Sequence, residues 1–209
     1  MHRKPVILAM DLEGVLVPEI WIAVSKHTDI PELRLTTRDV SDYDELMKRR
    51  LTILDEHHLT LQDIQEVIKE VEPLPGAYAF LKRVRSVLQV IVLSDTYYDF
   101  ARPLMEKLEY PTLFCNSLEI DEHGRIADYH LRQKDGKRKA VLAFQRLDFE
   151  VIAIGDSYND MTMLDVAEMG LLFRPPDSVK KEFAQFRVCS EYAQVSGYIE
   201  EYLRKGRKK

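Results

Sequence analysis

Hydrophobic positions along this chain of 209 residues include three continuous runs, and each run ends on an aspartate. Val6-Ile7-Leu8-Ala9-Met10 leads into Asp11, Val90-Ile91-Val92-Leu93 into Ser94-Asp95, and Val151-Ile152-Ala153-Ile154 into Gly155-Asp156. Continuous rather than alternating apolar residues mark strands covered on both faces, the habit of a parallel sheet. Between the runs, apolar residues recur at helical spacing: Ala77, Phe80, Leu81, Val84 and Leu88 before the second, Phe100, Leu104, Met105 and Leu108 after it, and Ala140, Val141 and Phe144 before the third. Alternation of strand and helix predicts an α/β fold around a parallel sheet, in which ligands bind beyond the carboxyl ends of the strands. All three aspartate-bearing ends should therefore converge on one crevice.

From about Pro18 to Glu72 this rhythm stops, since the stretch is helical in pattern and contains no strand-like run. Asp42 can cap a helix bearing Tyr43, Leu46, Met47, Arg50 and Leu54 on one face; Thr60 can cap the next, with Leu61, Ile64, Val67, Ile68 and Val71. Pro73-Leu74-Pro75-Gly76 marks the return. Residues 18–72 thus read as a helical cap inserted into a core made of 1–17 and 73–209. A smaller insertion, Leu118-Glu119-Ile120 and Arg125-Ile126-Ala127 flanking Asp121-Glu122-His123-Gly124, has the form of a β-hairpin. After the third run, Met161 to Glu168 reads as a helix closed at Gly170 by a glycine cap.

Composition narrows the setting. No apolar stretch approaches the length of a membrane span, and the start Met1-His2-Arg3-Lys4-Pro5 leads into too short an apolar run for a secretion signal. Two widely separated cysteines, Cys115 and Cys189, make neither a disulfide framework nor a metal-ligand spacing, so a reducing, cytoplasmic compartment is expected. The net charge is −5, but five basic residues lie in the last six positions, and without them the body carries −10. Such a body lacks the basic face that nucleic acid requires, and the basic tail reads as solvated. No nucleic-acid or membrane partner is expected.

The strand ends carry the candidate chemistry. Asp11-Leu12-Glu13-Gly14-Val15 places two carboxylates two residues apart where the chain leaves the sheet. A carboxylate can act as nucleophile through an acyl phosphate while a neighbouring acid handles the leaving-group proton, although aspartate at a strand end also serves simply to form a turn. Gly155-Asp156-Ser157-Tyr158-Asn159-Asp160 supplies two more carboxylates, with Asp160 alternatively the cap of the following helix. Carboxylates gathered at one crevice repel one another unless a cation offsets them, and Mg²⁺, which favours oxygen ligands, suits such a cluster. Ser94-Asp95-Thr96 offers a hydroxyl and backbone donors for phosphate. Lys137, or alternatively Lys134, can supply a cationic side chain.

These residues, in this order and on these strand ends, resemble the haloacid dehalogenase superfamily of phosphoryl-transfer enzymes, whose core is Rossmann-like. Within it the similarity is to the phosphoserine phosphatases and their phosphotransferase branch, and it extends from Val6 to about Leu203. Glu13 stands where the superfamily usually has a second aspartate and suits that branch. The resemblance implies that Asp11 is nucleophile and metal ligand, and that Glu13 is the acid/base and lends its main-chain carbonyl to the metal. It further implies that Asp156 binds Mg²⁺, that Asp160 supports the metal's waters, and that Ser94, Asp95 and Lys137 hold the phosphoryl group. Asn159 would face the substrate, Glu19 would bind its amino group and Arg50 its carboxylate. The implied reaction moves a phosphoryl group from L-phosphoserine to water or L-homoserine. A phosphatase for another small phosphorylated metabolite or a nucleotide is the alternative.

Overall fold

The computed structural model describes residues 4–36, 40 and 42–205; Met1 to Arg3 and tail residues 206–209 lie outside the described residues. Its strands are β1 (Val6–Met10), β2 (Gln89–Tyr97), β3 (Thr112–Ile120), β4 (Ile126–His130), β5 (Glu150–Gly155), β6 (Met169–Phe173) and β7 (Arg187–Cys189). Among the described residues they form one sheet in the order β4-β3-β2-β1-β5-β6-β7. Every pairing is parallel except β3 with β4, which is antiparallel. The first and third apolar runs are thus neighbours at the sheet centre, Ala9 opposite Ala153, with the second run on the other side of β1.

Helices α1 (Ile20–Thr28), α2 (Tyr43–Glu56) and α3 (Leu61–Glu70) follow β1, and α4 (Ala77–Arg85) leads into β2. Along the rest of the chain come α5 (Tyr98–Lys107), α6 (Gly136–Arg146), α7 (Met161–Val166), α8 (Asp177–Glu182) and α9 (Tyr192–Lys205). Successive strand residues point to opposite faces, and the two-sided burial inferred from the continuous runs follows. Leu8, Met10, Ile152 and Ile154 join one core cluster, whereas Ile7, Ala9, Val151 and Ala153 join the other. The helices after β1 share the first core through Ile20, Trp21, Ile64 and Ile68. Asp42 caps α2 by accepting from the Glu45 amide, and Thr60 with Asp63 forms a capping box on α3. The turn of the β3–β4 hairpin braces this helical segment: the Leu61 amide donates to the Gly124 carbonyl at 2.9 Å, and the Tyr129 hydroxyl to Asp44 at 2.6 Å.

Three expectations need correction. Gly170 closes no helix: α7 ends at Val166, and Gly170 pairs with Ala153 inside β6. A Cβ there would lie 2.9 Å from both the Leu164 carbonyl and the Phe186 ring, so glycine answers a close approach and not a helix stop. Asp160 does not cap α7; its side chain turns back to the amides of Asp156 and Ser157. β2 does not stop at Leu93 but runs to Tyr97, its register with β3 slipping between those residues. The irregularity frees Ser94 to Thr96 from regular pairing. No described helix is long and apolar enough to cross a membrane.

Candidate active site

Asp11 is the first residue beyond β1, its backbone amide donating to Ile154 O at 3.0 Å and so clamped between the two central strands. Asp95 lies in the irregular last stretch of β2 and Asp156 directly after β5, so the carboxylates of the flanking strands converge as expected of a parallel sheet. A cleft of about 390 Å³ opens above them. Its lining includes Asp11, Glu13, Glu19, Arg50, Ser94, Asp95, Asp156 and Asn159, all expected from the sequence. Lys137 lies beneath, buried, whereas Lys134 is exposed, so the fold brings Lys137 and not Lys134 to the carboxylates.

Lys137 is the hub of the cluster. Its Nζ lies 2.8 Å from Asp160 Oδ1, 3.0 Å from Asp11 Oδ2 and 3.6 Å from Asp95 Oδ2. Burial alone would push its ammonium down, but the charges of Asp11, Asp160 and Asp95 hold it well above the usual lysine range. One lysine does not satisfy so many carboxylates. Asp11 is pushed well above the ordinary carboxylate range, first by burial and then by repulsion from Asp160. Asp156 is raised to about 7, again by burial first, then by Asp160 and Glu19.

Asp11, Asp156 and Asp160 each offer an oxygen within 4.8 Å of the others, a donor set that can hold a metal ion. Asp160 is already engaged, by Lys137 through one oxygen and by the Asp156 and Ser157 amides through the other. Among the described residues Asp156 has no cationic side chain in salt-bridge range, which leaves its charge to be offset by something else. Backbone geometry preserves the opening: Gly14 has φ +75°, and a Cβ there would overlap the Asp156 carboxylate.

Glu13 accepts the Ile20 amide at 2.8 Å, so it closes the start of α1 while facing the cleft. Burial, followed by the neighbouring charge of Glu19, raises its carboxyl to about 8. A carboxylic acid in that range keeps its proton near neutrality and can donate it. Asp95 receives Asn159 Nδ2 at 2.8 Å, tying the ends of β2 and β5, and Asn159 in turn accepts from Ser157 Oγ at 2.7 Å. Ser94 is buried at the cleft floor, its Oγ accepting the Thr96 amide at 3.2 Å.

Arg50 faces the cleft from α2. Its guanidinium lies 4.4 Å from the Trp21 ring centre and donates through Nη2 to Leu35 O at 2.7 Å. Its Nε is buried without a hydrogen-bond partner, and no described carboxylate lies in salt-bridge range. Burial draws its pKa down from the usual arginine value. Such a group is poised for an anionic partner.

Sequence reasoning missed Trp21, Tyr97 and Arg174, which also line the cleft. It saw Tyr43 only as part of an apolar face. The Tyr43 hydroxyl lies 2.7 Å from that of Tyr97 and donates to Asp95 O at 3.2 Å, docking α2 onto β2. The helical spacing of Tyr43 and Arg50 was the available signal: two turns apart, both face the cleft.

The sheet, the carboxylate-bearing strand ends and the buried lysine gather on one crevice, and the class of protein is a hydrolase. The family model for haloacid dehalogenase-like hydrolase matches residues 7–167, and the chain belongs to that family. More particularly, it is 56% identical over 189 residues to phosphoserine phosphatase ThrH of Pseudomonas aeruginosa, covering 90% of this chain and 92% of that one. It is 57% identical over 189 residues to a phosphoserine phosphatase of Pseudomonas syringae pv. tomato, covering 90% and 80% respectively. A substrate-bound phosphoserine phosphatase structure shares the fold with a TM-score of 0.73 at 17% identity, across 95% of this chain and 99% of that one.

Proposed function

We propose that this enzyme transfers the phosphoryl group of L-phosphoserine through Asp11 to water or to L-homoserine. One observation carries the reading: the cleft combines Asp11 over a buried lysine, the Glu13 carboxyl, whose pKa burial raises to about 8, and an arginine on α2 with no described carboxylate in salt-bridge range. The first two are the parts of phosphoryl transfer, and the third suits an amino acid's carboxylate. Similarity to two phosphoserine phosphatases supports the same substrate.

The metal we assign is Mg²⁺; the Asp11 and Asp156 carboxylates and the Glu13 main-chain carbonyl would hold it, and Asp160 would support its waters. When bound, it keeps these carboxylates ionised and offsets charge on the phosphoryl oxygens. Asp11 attacks phosphorus and the ester P–O bond breaks, giving an aspartyl phosphate. Glu13 has one oxygen on the Ile20 amide, leaving the other to protonate the departing serine oxygen. The same carboxylate then takes the proton of the acceptor, which attacks phosphorus and frees Asp11. Lys137 offsets charge on the equatorial oxygens and the Ser94 hydroxyl donates a hydrogen bond to them, while Asp95 and Asn159 hold each other in place beside them.

We read residues 18–72 as a cap over this cleft, with Glu19 meeting the substrate amino group and Arg50 its carboxylate. Two unpaired, buried cysteines support a cytoplasmic setting. The test is a product assay with phosphoserine and Mg²⁺, with and without homoserine. Free phosphate, or phosphohomoserine when homoserine is present, is expected. Failure to consume phosphoserine would overturn the substrate.

A further inference from the structure

The cleft wall carries a fixed cation that the chemistry above does not use. Arg174 is the residue after β6 and lines the cleft from the sheet end, whereas Arg50 lines it from the inserted helices. Its backbone adopts φ +48°, a left-handed conformation that side-chain-bearing residues avoid unless their surroundings impose it. Here the surroundings do. The Arg174 amide donates to Cys189 O at 2.8 Å, Nε donates to Ser190 O at 2.7 Å, and the guanidinium lies 4.7 Å from the Phe173 ring centre and 5.6 Å from that of Tyr192. Tyr192 in turn donates its hydroxyl to Val15 O at 2.6 Å, in the turn that follows Asp11. The cation is thereby bracketed to the nucleophile's own loop.

Charge makes this placement consequential. Among the described residues, Asp11, Glu19, Asp95 and Asp156 line the cleft beside the Glu13 carboxyl, which burial raises to about 8, and Arg50 and Arg174 are the lining cations. Lys137 reaches the phosphoryl end of the cleft from below, beside Asp11, Asp95 and Asp160, and is not part of the wall. A phosphate monoester is a dianion and must approach past this acidic rim. Arg174 retains about a third of its side-chain exposure, and its pairing with Glu191 is a loose 3.5 Å contact between exposed groups, which screens it little.

We propose that Arg174 is a specificity-determining residue that favours doubly charged phosphate monoesters through space, by opposing the negative field of the cleft. The inference rests on the reading of the cleft as a phosphomonoester site.

Arg174→Gln and Arg174→Lys test it, with the KM for phosphoserine measured in the Mg²⁺-loaded enzyme across ionic strength. At ~10 mM salt the glutamine variant should raise KM about three- to tenfold with a much smaller change in kcat, the lysine variant should recover most of the loss, and the difference should fade near 1 M salt, where the Debye length is ~3 Å. Inorganic phosphate titrated calorimetrically into the same three proteins should show the same salt-sensitive loss. A KM change independent of salt, a loss confined to kcat, or no rescue by lysine would assign Arg174 a structural role and overturn the inference. A wild type that consumes phosphoserine beside an Arg174→Gln variant of equal low-salt KM overturns this inference alone. A wild type inactive on phosphoserine overturns the proposed reaction instead, and the phosphate titration still decides Arg174.

Discussion

Replacing Arg50 with methionine separates recognition from architecture. Methionine keeps an unbranched apolar stem against Trp21 but removes the guanidinium, together with its hydrogen bond to Leu35 O and its buried, unpartnered Nε. Losing the charged donor's hydrogen bond to the carbonyl costs about 1.5 to 3 kcal/mol and the cation–π contact about 1 to 2, both offset by no longer burying a charge. Folding should therefore change by only a few degrees in Tm. Binding should change far more, because truncating one side of a buried charge-assisted pair with the substrate carboxylate costs about 2 to 4 kcal/mol, or roughly 30- to 1000-fold in affinity. The assay compares KM for phosphoserine with KM for phosphoethanolamine, which keeps the phosphate and amine but lacks the carboxylate. Phosphoserine should lose its advantage in the variant while phosphoethanolamine, a poor substrate throughout, changes little. Parallel losses on both, or a collapse in Tm, would refute the carboxylate-binding role.

Glu13→Gln can still accept the Ile20 amide but cannot donate the proton, so turnover of phosphoserine should fall about 10²- to 10⁴-fold while an activated aryl phosphate is largely spared; equal losses on both would remove Glu13 from the acid role. Gly14→Ala forces a Cβ onto the Asp156 carboxylate from a left-handed backbone, and a Mg²⁺ titration of activity should shift by about 10- to 100-fold. An unshifted titration would place the metal elsewhere. The Mg²⁺-dependent gain in Tm should grow with pH. Asp156, facing Asp11, Asp160, Glu19 and Lys137, has its folded-state pKa raised from 3.8 to about 7, so the metal-free fold binds more protons than the unfolded chain across that window and loses stability as pH rises through it. Mg²⁺ needs the ionised carboxylate and should restore that loss, so a Mg²⁺ gain no larger at about pH 8 than at about pH 5 would contradict this electrostatic reading.

The sheet centre was legible because β1, β2 and β5 are buried on both faces and hence written as unbroken apolar runs. β6 was not, since Met169-Gly170 begins it with a residue whose usual meaning after a helix is a stop, leaving only Leu171-Leu172-Phe173 as apolar signal. Tertiary crowding against Leu164 and Phe186, invisible in the sequence, is what requires the glycine. The cluster of Asp11, Asp95, Asp156 and Lys137 could be expected because strand ends converge by topology, and only burial distinguishes the two lysines: Lys137 points inward and Lys134 three residues earlier does not. Arg174 escaped notice for the same reason as β6, since its position in the cleft follows from a strand not recognised.

Asp11 is the proposed carrier of the phosphoryl group. Rapid quenching of the Mg²⁺-loaded enzyme during phosphoserine turnover, followed by peptide mass analysis, tests it directly. A transient mass increase of one phosphoryl group is expected on the peptide containing Asp11, sensitive to hydroxylamine as an acyl phosphate should be, and absent in an inactive but folded Asp11→Asn variant. Phosphoserine turnover with no such adduct, or an Asp11→Asn variant retaining more than about a hundredth of wild-type kcat, would contradict it.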